Sequence, residues 1–201
     1  MLTRDDARGT PLSPRRRDVE RDLNLLLHCI DPTVRLILHG KSERRFTWNG
    51  SKTLAPNGKS YEESLHDVAH FLIASPWQRG FPEFGLGPDP YRETSGAPRR
   101  LNRRAARGQE EHVAILQAGL SMLLGLDLAA VEDETRTTLT AAELHAMLLR
   151  TRRCYPNALP TAAWDRILET SSARVASLSA PAPYDWTSVW VAGLLEAPAT
   201  P

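Results

Sequence analysis

Cysteine is scarce in this chain of 201 residues: it contains only Cys29 and Cys154, which lie far apart and form no CxxC pair. Two isolated thiols argue against a disulfide framework and against a cysteine-rich zinc site, and they favour a reducing compartment. The chain also lacks an apolar run long enough to span a membrane, and no apolar core of a signal peptide follows Met1. These absences predict a cytoplasmic protein with no membrane partner.

An excess of one charge is missing too, because 25 Lys and Arg residues nearly balance 24 Asp and Glu residues, for a formal net charge of +1. This balance gives no overall attraction to nucleic acid. Arginines do concentrate at 15–17 and at 99–107. Because most basic loops are simply solvated, we expect nucleic acid not to be the partner, although segment 99–107 leaves that question open. The sequence does not indicate an oligomeric state.

The chain has no glycine-rich phosphate loop and no internal repeat, which argues against a nucleotide-binding enzyme and a solenoid. Its hydrophobic fraction of 41% is enough for one core. We predict a single domain over residues 15–180, which would contain the metal site derived below from its histidines and glutamates. Residues 1–14 are polar and rich in turn formers, which predicts a disordered arm, and the Pro- and Trp-containing tail 181–201 is predicted to dock on the body.

The most informative stretch that is present is segment 63–74, which carries His66 and His70. A capping-box pattern at Ser60 and Glu63, and the stop at Pro76, predict a helix over 61–74. A spacing of four residues puts both imidazoles on one face of that helix. Two imidazoles on one face make half of a zinc or iron site, although the same spacing also occurs on half-buried helices without a metal.

A third ligand is available in the acidic pair Glu110 and Glu111, which opens a helix predicted over 110–126. Glu111 shares a face with an apolar stripe, whereas Glu110 shares one with more polar residues. A carboxylate on an apolar stripe needs a partner, and a metal held by His66 and His70 would supply it. We therefore favour Glu111 as the third metal ligand, with Glu110 as the alternative.

The remaining patterns predict an α+β fold that is mainly helical, with a small antiparallel sheet before the helix of the two histidines. Apolar residues recur at helical spacing over 15–30, and short strands are predicted over 34–38, 45–48 and 52–54, with a hairpin turn at Asn49 and Gly50. Two later helices are predicted, one opened by the capping-box pattern of segment 140–143 and the other starting at 160–161.

The long connection 75–107 contains an apolar, turn-rich piece with Phe84 and Gly85. Such a piece tends to pack on the protein, and its glycines indicate tight backbone geometry or close approach to a ligand. We predict that residues 78–90 line or cover the metal cleft, with Phe84 and Gly85 in contact with substrate.

This order of elements is that of zincin-like proteins, and more narrowly the chain resembles the elongation factor P hydroxylase family and its uncharacterised bacterial and phage relatives. The matching pieces are 34–37, 65–74, 84–85, 110–111 and, more weakly, 159–162. The resemblance implies one divalent metal ion, Fe(II) or Zn(II), held by His66, His70 and Glu111. It also implies hydroxylation of a side chain on a protein or peptide substrate.

Asp67 is a candidate catalytic residue, because it stands where the H-E-x-x-H signature of metallopeptidases has its glutamate base. Its side chain is one methylene shorter, which weakens a zinc metallopeptidase-like interpretation and favours a supporting role. A second alternative is an HD-type phosphohydrolase, in which His66 and Asp67 would bind metal with His39 and Asp127. A third is a catalytically degenerate binding module.

Overall fold

The computed structural model describes residues 16–37, 47–54, 61–87, 97–124 and 140–176. These ranges are mainly helical, as predicted, and no helix in them is both long and apolar enough to cross a membrane. The helices are α1 (Arg16–His28), α2 (Tyr61–Ile73), α3 (Pro76–Arg79), α4 (Arg103–Leu123), α5 (Ala141–Cys154) and α6 (Thr161–Ala176), and the strands are β1 (Arg35–Leu36) and β2 (Thr53–Leu54). The predicted arm 1–14 and tail 181–201 lie outside the described residues.

Local capping sets where several helices begin. The predicted box on α5 is confirmed, since the Thr140 side chain accepts from the backbone of Glu143 and the Glu143 carboxylate accepts from that of Thr140. Helix α4 begins well before the predicted residue 110, because Asn102 supplies its cap by accepting from the Ala105 amide at 2.8 Å. The two carboxylates predicted for its first turn therefore lie inside the helix.

The core forms where α2 packs on α4 and where α5 and α6 cover the far half of α4. Leu65 and Val68 of α2 and Val113 and Leu116 of α4 are all fully buried. Each buried aliphatic side chain of this kind contributes about 1.5–3 kcal/mol. A Cβ at Gly119 would lie 2.9 Å from Leu148 of α5 and 3.0 Å from Ile167 of α6, so the missing side chain lets three helices approach closely.

The prediction of an antiparallel sheet is wrong, because β1 and β2 pair in parallel, with Leu36 opposite Leu54. The predicted turn does form, with Gly50 at φ +81°, but it brings Trp48 only to a single antiparallel bridge with Leu54. The sequences of two strands of only two residues each do not determine whether the strands pair in parallel or antiparallel. Instead α1 holds β1 in place, since the Asn24 side chain accepts from the Leu36 amide at 2.8 Å.

Candidate metal centre

Three potential metal ligands meet between α2 and α4: His66, His70 and Glu110. The two histidine Nε2 atoms are 3.1 Å apart, and Glu110 Oε2 lies 3.6 Å from the nitrogen of His66 and 3.3 Å from that of His70. Two ligands of a tetrahedral ion bound at about 2.0–2.1 Å are separated by about 3.3–3.4 Å. The side chains therefore already have the spacing that one divalent ion requires.

The predicted convergence of the two histidines follows from the buried face of α2. Leu65, Ala69 and Leu72 anchor this helix in the core, and His66 and His70 flank that stripe one turn apart. The side chain of His70 is only 8% exposed, whereas that of His66 is 29% exposed. The centre is thus closed at His70 and opens towards solvent on the side of His66.

Gln117, which the sequence analysis did not single out, supports the centre from behind. Its side chain is fully buried, and its Oε1 atom lies 3.1 Å from Nδ1 of His66. An acceptor at Nδ1 keeps the proton there and leaves the lone pair of Nε2 free for a metal. Gln117 lies two turns after Glu110 on the same face of α4, so a buried polar residue at that spacing was the available signal.

The structure brings Glu110, the alternative, to the two histidines and not the preferred Glu111. Helix α4 turns the face of Ala106, Gln109 and Val113 inward, and Glu110 borders that face on the side of α2. Glu111 is exposed and is not one of the three converging ligands. The apolar stripe that continues from Glu111 is buried only further along the helix, where α5 and α6 cover it.

Asp67 is buried, at 7% exposed, and its carboxylate does not belong to the ligand group. It follows His66 by one residue, which places it about 100° further around α2. Its negative charge nevertheless acts on His66, whose pKa it helps to raise. This placement fits a supporting role, and a catalytic role for Asp67 stays a prediction. His39 and Asp127, which an HD-type site would need, lie outside the described residues.

Phe84 lies directly against the centre, but its ring faces the protein core. It stacks on the His70 ring at 5.8 Å between centroids and 13° between planes, and on Trp48 at 5.7 Å and 3°. Phe84 is 2% exposed, so its ring is buried among these side chains. The loop therefore contacts the centre at Phe84, while a cleft lined or covered by residues 78–90, and contact of Phe84 and Gly85 with a substrate, stay predictions.

The turn that presents Phe84 is left-handed over three consecutive residues. Glu83, Phe84 and Gly85 have φ values of +46°, +55° and +72°. A non-glycine residue in this region costs on the order of 1–3 kcal/mol, and such strain persists only where the surroundings enforce it. They do so here, because the Gly85 carbonyl accepts from the amides of Arg100 and Leu101 at 2.7 and 3.2 Å.

In the metal-free centre, Glu110 and His66 shift each other's pKa in opposite directions. Burial lowers the pKa of His66, but the hydrogen bond and charge of Glu110, together with Asp67, outweigh it, so this pKa lies above its ordinary value. Burial acts to raise the pKa of Glu110, yet the hydrogen bonds and charges of His66 and His70 bring it well below its ordinary value. A proton and a metal ion thus compete for the same atoms.

This competition predicts opposite pH dependences with and without metal. The raised pKa of His66 stabilises the folded state below about pH 6.5, and this contribution is lost as pH rises through the folded-state pKa. The lowered pKa of Glu110 stabilises it above about pH 4.3 and is lost in acid. In the metal-free protein both contributions are therefore fully present only between these two values, whereas stabilisation by metal should grow above them.

The measurement is thermal unfolding with excess Zn(II) or with EDTA from pH 5 to pH 8. At about 100 times Kd, metal adds about 2.7 kcal/mol, or roughly 5–10 °C for a chain of this size. The increment should approach zero near pH 5 and reach that range near pH 8. Groups away from the metal cancel in the difference, so an increment that did not change with pH would contradict binding at these histidines.

The donor set fits a mononuclear metal ion: two imidazoles and one carboxylate, with acceptor atoms facing one point. One feature is unusual, since Nδ1 of His70 is buried and has no hydrogen-bond partner among the residues that the structure describes. Packing against Phe84, together with the contacts of Nε2 with His66 and Glu110, sets the orientation of that ring. No protein-family model, curated protein or solved structure matches this chain.

Proposed function

We propose that this protein is a mononuclear non-haem iron enzyme that hydroxylates a side chain of a protein or peptide. The observation that carries the proposal is the convergence of His66, His70 and Glu110 at mutual distances of 3.1–3.6 Å. Two histidines and one carboxylate with free coordination positions are the ligand set of Fe(II) oxygenases. The resemblance of the sequence to the elongation factor P hydroxylase family supports the same chemistry.

The exposure of the ligands favours a catalytic over a structural site. Structural zinc sites are closed by four protein ligands, whereas catalytic sites keep a position for substrate or solvent. Among the described residues only three ligands converge, and the Glu110 side chain is 46% exposed. The open side lies at Glu110 and His66, so a substrate would approach there.

Each residue of the centre has a distinct task. His66, His70 and Glu110 would hold the ion, Gln117 orients His66, and Phe84 supports the ring of His70. Bound Fe(II) would supply the activation of dioxygen. The two cysteines are free and exposed, which suits the reducing cytoplasm in which we place this activity.

A zinc metallopeptidase-like hydrolase is the second candidate, because two histidines and a glutamate also make up zinc peptidase sites. Such an enzyme needs a general base beside the metal. Asp67 occupies the corresponding position in the sequence, but it is buried and stands apart from the ligand group. An HD-type phosphohydrolase would need Asp67 as a ligand next to His66, so its placement weighs against that reaction as well.

The test is anaerobic reconstitution with Fe(II), followed by addition of nitric oxide. We expect one iron per chain and the electron paramagnetic resonance signal of a high-spin iron–nitrosyl adduct, because an open position beside three protein ligands admits a diatomic ligand. The variant His66→Gln should lose both iron and signal.

Two results would overturn the proposal. Absence of both bound iron and bound zinc in the wild type would instead point to a degenerate binding module. Zn(II)-dependent hydrolysis of casein that disappears in Asp67→Asn would establish the hydrolase, because general-base assistance contributes about 10²–10⁴-fold.

A further inference from the structure

An arginine surface borders the candidate metal centre. It consists of Arg99, Arg100, Arg103, Arg104 and Arg107, all of which are exposed. None of the five forms an ion pair with a carboxylate of the described residues, in contrast to Arg152, which pairs with Asp165 at 2.7 Å. Segment 97–109 contains no acidic residue, although the whole chain has a net charge of only +1. The positive charge is therefore concentrated in this segment.

The arginine surface adjoins the metal centre at both of its ends. At one end, the amides of Arg100 and Leu101 donate to the carbonyl of Gly85, the neighbour of the Phe84 that stacks on His70. At the other end, Arg103, Arg107 and Glu110 follow each other along one face of α4. Arg107 precedes Glu110 by one turn, which is about 4.5 Å along the helix axis. A ligand held by these guanidinium groups would reach the open side of the metal site.

An apolar element adjoins the arginine surface at α3. Trp77 is 57% exposed, which is unusual for its size, and its ring meets Phe81 edge to face at 4.9 Å between centroids. The guanidinium of Arg100 lies over the other ring of this pair, 5.0 Å from the centroid of Phe81. Charge and an accessible aromatic ring thus occur side by side.

We propose that the arginine surface binds an acidic segment of the protein substrate and so delivers a neighbouring side chain to the metal centre. This inference names the substrate class of the function proposed above and rests on it. Guanidinium groups pair with carboxylates through two parallel hydrogen bonds, which gives direction as well as attraction. Trp77 offers a contact for an apolar residue of the same segment.

The surface suits a peptide better than single-stranded nucleic acid. Nucleic-acid grooves offer successive aromatic rings for stacking along a continuous basic track. Here the face of Phe81 is occupied by Arg100, which leaves Trp77 as the single exposed ring of the described part of this surface.

The test is fluorescence anisotropy with a fluorescein-labelled peptide of alternating Glu and Gly. A peptide of alternating Gln and Gly and a single-stranded oligothymidylate serve as comparison probes. The double variant Arg103→Glu/Arg107→Glu should weaken binding of the acidic peptide about tenfold or more at low salt, since several exposed ion pairs become repulsions. The matched control Arg35→Glu/Arg153→Glu makes the same charge change at exposed positions on β1 and α5 and should have little effect.

The outcomes separate this inference from the proposed function. Equal losses in the two double variants, or tighter binding of the oligothymidylate than of the acidic peptide, would overturn the acidic-substrate inference. Iron content is measured on the same samples. One iron per chain without selective peptide binding would leave the metal centre standing and remove the docking surface. Selective peptide binding by a protein that takes up no metal would do the reverse.

Discussion

Replacing Glu110 by glutamine is expected to lower the affinity for Zn(II) or Fe(II) by about 100-fold or more, while the same change at Glu111 leaves it nearly unaltered. Loss of a residue that only supports a ligand costs about 10–100-fold, and Glu110 would be a ligand itself. Its Oε2 atom lies 3.3 Å from Nε2 of His70, whereas Glu111 is not part of the group. An amide oxygen keeps the shape but removes the negative charge that faces the ion.

This pair is a matched comparison, because both residues are exposed, adjacent on α4 and altered in the same way. Both variants should still fold, because neither change removes a buried side chain, so a difference in affinity reports contact with the metal. Competition with a coloured chelator measures it. His70→Gln provides a second ligand variant, although its site is buried. Equal affinity of Glu110→Gln and wild type would remove Glu110 from the centre, and a loss confined to Glu111→Gln would restore the original preference.

The two histidines could be predicted from the sequence because their geometry is local. A spacing of four residues sets their common face, and the stop before Pro76 limits the helix, so α2 ends at Ile73 and begins at Tyr61 close to the predicted bounds. Which of the two glutamates faces the histidines could not be predicted from the local sequence. It depends on how α4 is rotated against α2, and a helix starting at Arg103 places Glu110 about two turns inside.

The parallel pairing of β1 and β2 could not be predicted from the sequence for a similar reason. The dipeptide of Asn49 and Gly50 predicts a turn, and the turn is present. A turn at this position does not determine that β1 pairs with β2. That choice is made by α1, through the hydrogen bond from the Leu36 amide to the Asn24 side chain. Contacts with other elements therefore decide both the position of Glu110 and the direction of the sheet.

For Phe84, the sequence predicted contact with the metal centre but not the direction in which the ring points. Composition predicted that the loop would pack onto the centre, and its ring does stack on His70. The inward direction of the ring follows from the left-handed turn, which in turn needs the hydrogen bonds to the Gly85 carbonyl. We therefore regard Phe84 as a residue that positions His70. We expect its removal to lower both the stability of the protein and its affinity for metal.

Phe84→Ala should lower the free energy of unfolding by about 3–5 kcal/mol, the range for loss of a buried phenylalanine. Metal affinity should fall as well, by about 10–100-fold, as for loss of a partner behind a ligand. The reason is that Nδ1 of His70 has no hydrogen-bond partner among the described residues, so packing takes a larger share in holding the ring. Removing the Phe84 ring takes away a stacking contact that helps to fix the orientation of the imidazole.

Two further variants separate positioning from stability. Phe84→Leu keeps most of the apolar volume, so it should recover much of the stability but little of the affinity. Ile167→Ala removes a fully buried side chain that reaches Gly119 of α4, about 13 Å along the axis from Glu110, and costs about 2–5 kcal/mol. Urea denaturation and chelator competition well below the unfolding temperature measure the two quantities independently. Because Ile167→Ala should lose stability alone, equal loss of affinity in it and in the Phe84 variants would show that Phe84 acts only through the core.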